Sequence, residues 1–201
     1  MLKRTSRFIR KQEATVYAYI FAMLLPNLLL ACTEPYSWST ILASLMLPAA
    51  IYMAIAVSRP RPCIVMLCTL PLMVLNAFQI VILYLFGGSI IAVDMFTNLF
   101  TTNVSEAGEL LRNLWPAIVF VCIIYVPILF ASIRSALIKD RLSFLFRRKM
   151  IYGALVALLV GGMATAISTA VRPDFGIKQQ IFPVNVIYNI KLSLDRWKQS
   201  E

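Results

Sequence analysis

Residues 150–171 read MIYGALVALLVGGMATAISTAV, a stretch without one charged side chain. About 20 apolar residues are enough for a helix to cross the ~30 Å hydrocarbon core of a bilayer. Such a helix pairs its backbone groups internally, as lipid requires. The sequence therefore predicts an all-α integral membrane protein with five transmembrane helices. The four other apolar runs are Thr15–Cys32, Trp38–Ser58, Cys63–Gly87 and Leu114–Ala131.

The charge distribution predicts how these spans are oriented. The net charge is +10, and most basic residues lie in the N-terminal segment and in the loops after the second and fourth runs. Positive charge marks the cytoplasmic side of a membrane. We therefore expect a cytoplasmic N-terminus, a periplasmic C-terminus and a membrane partner rather than nucleic acid. The residues that decide this are Lys3, Arg4, Arg7, Arg10, Lys11, Arg59, Arg61, Arg134, Lys139, Arg141, Arg147, Arg148 and Lys149.

The chain contains few groups suited to catalysis. It has no histidine, which removes the commonest metal ligand and general base. Its four cysteines lie in or beside apolar runs, without the spacing of a redox or zinc site. We predict no catalytic residue and no metal ligand in this chain, and we interpret the cysteines as buried structural thiols. They are Cys32, Cys63, Cys68 and Cys122.

Three amide side chains fall within the apolar runs: Asn27, Asn76 and Gln79. A buried amide usually bonds one membrane helix to another, and contact with a lipid headgroup is the alternative. Prolines within the runs predict helix kinks, Pro71 in the third run among them. The basic and apolar residues of Leu137–Met150 suggest a helix on the inner leaflet, with a plain connecting loop as the alternative.

A polar stripe lies in the longest outer loop. Asp94, Asn98, Thr102 and Glu106 follow one another at intervals of four residues, and Glu109 extends the series. On a helix such residues share one face, so we predict an amphipathic interfacial helix over about 94–112. A carboxylate can pair with a lipid ammonium group while Asn and Thr contact phosphate or ester oxygens. A solvated polar face is the simpler alternative.

The residues after the fifth run also have a helical pattern. Apolar residues recur at helical spacing in Pro183–Trp197, with charged residues between them. This pattern is typical of an interfacial helix. We therefore divide the chain into a membrane domain, 1–182, and an amphipathic linker, 183–201.

The stripe resembles the signature in the membrane domain of phosphoethanolamine–lipid A transferases, which include the mobile colistin-resistance enzymes. The Asn-x3-Thr-x3-Glu pattern of that family matches Asn98, Thr102 and Glu106. The segment Pro183–Asn189 is similar to the family's linker, and the predicted topology is similar as well.

This resemblance implies a transferase of the bacterial inner membrane that moves phosphoethanolamine from phosphatidylethanolamine to lipid A and so gives polymyxin resistance. It implies a periplasmic catalytic domain, alkaline-phosphatase-like, with zinc and a threonine nucleophile. That domain is expected after residue 201, so the chain alone should be inactive, whether it is an engineered truncation or a natural short product. Asn98, Thr102 and Glu106 would receive the donor headgroup, with Asp94 and Glu109 as further candidates.

Three other functions remain open at this level. The chain could be a non-catalytic membrane subunit that stabilises a partner. It could also be the membrane domain of a related phosphoglycerol-type transferase. Transport is the least favoured, because it usually needs ionisable side chains or broken helices near the bilayer midplane, and the spans offer only three amides.

Overall fold

The computed structural model describes residues 2–86, 104–138, 141–171 and 176–200, and these residues form helices joined by short connections. The helices are α1 (Leu2–Thr33), α2 (Trp38–Ala56), α3 (Pro62–Cys68), α4 (Leu70–Phe86), α5 (Val104–Ile138), α6 (Phe144–Val171), α7 (Ile177–Gln180) and α8 (Val184–Ser200). No strand occurs in these ranges, so the all-α prediction holds for the described chain.

Four helices contain a segment that is long and apolar enough to cross a membrane. These segments are Gln12–Thr33, Trp38–Ala56, Arg112–Ile138 and Phe144–Val171. The third predicted run is not one helix, because α3 and α4 meet at a bend of 58°. The structure thus holds four candidate spans, or five if the bent pair crosses as one. The count of five and the orientation of the termini remain predictions.

The bend has a local cause in the sequence. Pro71 has no N–H to donate to the preceding turn, and its ring conflicts with a continuing helix, so it is tolerated only in the first turn of α4. Thr69 occupies the break, and its hydroxyl donates to the carbonyls of Val65 (3.1 Å) and Met66 (3.0 Å). The Tyr19 hydroxyl of α1 lies 2.7 Å from the Thr69 hydroxyl oxygen. The break is therefore held against α1 by hydrogen bonds.

Serine residues fix where two of the spans begin. The Ser37 hydroxyl accepts from Thr40 N (3.4 Å) at the start of α2, and Ser143 accepts from Phe146 N (3.2 Å) at the start of α6. Both are N-caps, which satisfy backbone donors that a helix leaves unpaired. Since α5 runs to Ile138 and α6 starts at Phe144, Leu137–Met150 is not one surface helix. That prediction was wrong: its two ends belong to two different spans.

Helix α1 is central to the bundle and contacts α2, α4 and α5, while α2 and α6 form the most extensive pair. Gly161 of α6 allows this close approach. A Cβ atom there would lie 2.9 Å from Leu47 Cγ and Cδ2 and 3.0 Å from Leu47 N. The opposite face of α6 exposes large apolar side chains, Leu159 at 67% among them. Such a face is suited to lipid rather than water.

The cysteine prediction was wrong for three of the four residues. Only Cys63 is buried, whereas Cys32, Cys68 and Cys122 are exposed on the surface of the bundle. The physical reason is that a lipid-facing surface accepts a small apolar thiol as readily as a protein interior does.

Candidate functional site at the outer end of the bundle

The outer end is the end at which α1, α4 and α6 finish and α2 and α5 begin, and it is the end predicted to face the periplasm. The inner end is the opposite one. Asp94, Asn98 and Thr102 of the predicted stripe lie outside the described residues. Glu106 and Glu109 belong to the helical backbone of the first turns of α5, and the roles of all five residues remain predictions.

The first turns of α5 precede its membrane-spanning part. The apolar segment of this helix starts at Arg112, so Val104–Leu111 lies before it. The described part of the helix predicted over 94–112 is thus continuous with α5 rather than a separate helix. A contact with α1 shows how far along the bundle these turns lie. The Tyr125 hydroxyl of α5 donates to Ala22 O of α1 (2.9 Å). Because the two helices run in opposite directions with a rise of about 1.5 Å per residue, Thr33 is level with about residue 114.

Helix α5 therefore begins with an extension of roughly ten residues that precedes the level at which α1 ends. Glu106 and Glu109 are carried on this extension. Both residues therefore precede the apolar segment of α5, which starts at Arg112.

The turn between α7 and α8 closes the outer end. Phe182 and Val186 are fully buried, and Ile181 is only 2% exposed. Phe182 and Val186 pack with Leu30 of α1 and with Ile82 and Leu83 of α4. Ile181 packs with Ala43 of α2 and Ala164 of α6. The segment after the last span is thus inserted between the helices and does not merely rest on the membrane surface.

An amide of the first span fixes this turn. With its nitrogen facing two carbonyl oxygens, the buried Asn27 side chain donates to Phe182 O (3.1 Å) and Ser44 O (3.3 Å). Asn76 similarly donates to Met23 O (3.0 Å). The prediction that amides bond helix to helix is confirmed for Asn27 and Asn76. Gln79 is also buried.

Two further polar groups lie buried in this region. The Asn185 side chain accepts from Val186 N (2.8 Å), while its Nδ2 has no acceptor among the described residues. The buried Tyr36 hydroxyl also has no hydrogen-bond partner there. Burial, and then the nearby negative charge of Glu34, raise the pKa of Tyr36 to about 12. The hydroxyl is therefore neutral at physiological pH.

Sequence reasoning did not find the insertion of Phe182 or the burial of the Tyr36 hydroxyl. The available signal was the apolar triplet at residues 181–183 immediately before an amphipathic helix, which a surface linker would not need. Among the described residues, no three His, Cys, Asp or Glu side chains come together in a way that could hold a metal ion. The described site can therefore position a segment and present a surface, but it offers no ligand set for zinc.

The family model described as phosphoethanolamine transferase EptA/EptB matches residues 88–196, which is more than half of the chain. The match takes in both the polar stripe and the inserted turn with α8. No curated protein and no solved structure matches this sequence. Together with the apolar helices, the family match identifies a multi-pass membrane protein. The chain belongs to the phosphoethanolamine transferase EptA/EptB family.

Proposed function

We propose that this chain is the membrane domain of a bacterial inner-membrane enzyme that moves phosphoethanolamine from phosphatidylethanolamine to lipid A. In this proposal the domain binds the donor lipid headgroup at the polar stripe, through Asn98, Thr102 and Glu106. Asp94 and Glu109 contribute from the same face. The single observation that supports it most is that the family match over 88–196 includes the whole stripe.

The stripe has the chemistry that this headgroup requires. Phosphatidylethanolamine carries an ammonium group and a phosphate, about one ethylene unit apart. Glu106 would pair with the ammonium group, and the Asn98 amide and Thr102 hydroxyl would donate to phosphate oxygens. Contacts of this kind are stronger at the edge of a membrane than in water because the local dielectric constant is lower.

The second part of the proposed site is the inserted turn, which holds the chain that follows the last span. The burial of Phe182 and the hydrogen bond from Asn27 to Phe182 O fix the chain after the last span to the outer end of the bundle. A catalytic domain that followed α8 would start from a fixed point close to the stripe. Zinc and the threonine nucleophile are proposed for that domain, and we propose no catalytic residue in this chain.

Binding of the donor lipid can be measured on the chain itself. In nanodiscs or detergent, we expect phosphatidylethanolamine to bind in preference to phosphatidylcholine, because three methyl groups prevent close pairing of the choline nitrogen with a carboxylate. Glu106→Gln and Asn98→Ala should each weaken binding about tenfold, which corresponds to one charge-assisted contact. Native mass spectrometry with lipids of identical acyl chains gives the affinities.

Glu13→Gln is the matched control, since Glu13 is a carboxylate near the inner end, where it accepts from the Ser143 hydroxyl at 3.4 Å. It should leave binding of phosphatidylethanolamine unchanged. In a longer enzyme that carries this domain, the same stripe variants should lower phosphoethanolamine addition to lipid A at equal protein level. Unchanged binding and unchanged lipid A modification in Glu106→Gln and Asn98→Ala would refute the proposal.

A further inference from the structure

A cavity of about 410 Å³ opens between α1, α3 and α5. Gln12 is the first residue of the apolar segment of α1, and Ile138 is the last of α5. Both line the cavity, as does Pro62 at the start of α3. The cavity therefore lies at the inner end of the bundle, opposite the polar stripe and the inserted turn. Its volume falls in the range of small-molecule pockets, about 300–1,000 Å³.

The walls of the cavity are suited to an acyl chain. Val126 and Phe130 of α5 line it and are 55% and 72% exposed. Cys63 and Met66 of α3 form its floor and are almost completely buried. These side chains offer an apolar surface that is open at the side, and a lipid chain can lie along such a surface without leaving the bilayer.

Polar side chains distinguish this cavity from a plain apolar groove, and Arg134 and Gln12 are the two that the proposal uses. Arg134 lines it and is exposed. Gln12 also lines it and is only 9% exposed, and its Oε1 accepts no hydrogen bond from the described residues. A buried acceptor without a donor is costly, so a ligand that brings a donor to this point is favoured. The cavity thus combines a cation with a buried acceptor.

We propose that this cavity binds an anionic glycerophospholipid of the inner leaflet whose headgroup carries hydroxyl groups, with phosphatidylglycerol as the test lipid. The phosphate pairs with Arg134, a headgroup hydroxyl donates to Gln12 Oε1, and one acyl chain lies along Val126 and Phe130. The surrounding connections also favour an anionic lipid, because they contain Arg59, Arg61 and Arg141. This site is distinct from the proposed donor site in its position, its lipid and its residues.

The test compares lipids and variants on the whole chain in detergent. Native mass spectrometry with phosphatidylglycerol and phosphatidylcholine of identical acyl chains should show about tenfold tighter binding of phosphatidylglycerol. Arg134→Gln should remove that preference, and Arg134→Lys should restore most of it. Gln12→Leu should weaken phosphatidylglycerol binding and leave phosphatidylcholine binding unchanged.

Arg141→Gln is the matched control, since it removes the same charge from the same end but lies outside the cavity. Ala131→Trp tests the cavity itself, because Ala131 lines the wall and an indole ring there should displace both lipids. The unfolding temperature of each variant in phosphatidylcholine shows whether it is folded. Equal binding of the two lipids, full phosphatidylglycerol binding by Arg134→Gln, or an equal loss in Arg141→Gln would each overturn the proposal.

Discussion

At the outer end of the bundle, the chain after the last span turns back between the helices and buries Phe182 completely. At the inner end, polar contacts join the connections to one another and to α6, and a cavity opens beside them. There Leu142 N donates to Pro60 O (2.8 Å), and Arg147 Nε donates to Val57 O (3.0 Å). The inner end also has buried packing, with Phe146 in the main core. The two ends thus differ in what is added to that packing, which is an inserted segment at the outer end and polar contacts between connections at the inner end.

The largest expected effect comes from the packing of the outer turn. Phe182→Ala removes a fully buried ring and should lower the free energy of unfolding by about 3 kcal/mol. It should also release α8, so that trypsin cleaves at Lys191. Ile187→Ala is the control, because Ile187 lies one turn further along and is 60% exposed. Equal stability and equal cleavage in the two variants would mean that the turn is not held by burial.

A smaller effect is expected between the ends, where α2 and α6 meet. Gly161→Ala should cost about 2 kcal/mol, because the added methyl group overlaps with Leu47 and overpacking of this kind typically costs 1–3 kcal/mol. Gly162→Ala is the neighbouring control, since no atom lies within 4 Å of a Cβ atom placed there. Unfolding titrations in SDS would compare the two variants. A loss of the same size in both would argue for a general effect of helix propensity or lipid contact.

At the inner end, the loss of a polar contact should matter less. Arg147→Gln removes a cation from the C-terminal end of α2, where it contacts the carbonyls of Val57 and Ser58 (3.0 and 3.4 Å). Partly exposed contacts between a cation and the end of a helix are worth about 0.3–1 kcal/mol. We therefore expect Arg147→Gln to lower the free energy of unfolding by about 0.5 kcal/mol, and by less at high salt. Arg59→Gln, in the same connection, should have no effect. A loss above 2 kcal/mol for Arg147→Gln would mean that the inner end depends on this contact as strongly as the outer end depends on packing.

At neutral pH the smallest effect concerns Tyr36 at the outer end, because its contribution appears only above about pH 10. Its pKa of about 12 lies above the usual value near 10, so between these pH values the folded state keeps a proton that the unfolded state loses. Stability should therefore fall as the pH rises through this window, and Tyr36→Phe should remove that part of the loss. The difference in absorbance at 295 nm between the parent chain and Tyr36→Phe should titrate with a midpoint near 12. A midpoint near 10 would place the hydroxyl in water.

Much of this architecture was accessible from the sequence because lipid imposes simple rules on length and charge. Four of the predicted runs correspond to helices with apolar segments long enough to cross a membrane, and Asn27 and Asn76 bond to other helices as expected. The third run was harder to predict, since a proline either bends a membrane helix or ends it, depending on which groups satisfy the freed carbonyls. Here Thr69 does so, and the helix ends.

The features that the sequence did not predict depend on contacts between distant residues. The sequence is compatible with Phe182 in contact with lipid or inserted into the bundle. Its insertion depends on packing against Leu30, Ile82 and Leu83, which are distant in the sequence. The cysteines have the same ambiguity, because hydrophobicity does not distinguish a lipid-facing side chain from a buried one. The stripe was recognisable from spacing and family resemblance, and its role in lipid binding remains a prediction.

The most direct test of the central claim is photo-cross-linking with phosphatidylethanolamine that carries a reactive group in its headgroup. We expect adducts in peptides that contain residues 94–109, and we expect Glu106→Gln to remove most of them while Glu13→Gln leaves them in place. Adducts confined to the inner-end cavity or to the lipid-facing side of α6, with no change in Glu106→Gln, would contradict a donor-lipid site at the outer end.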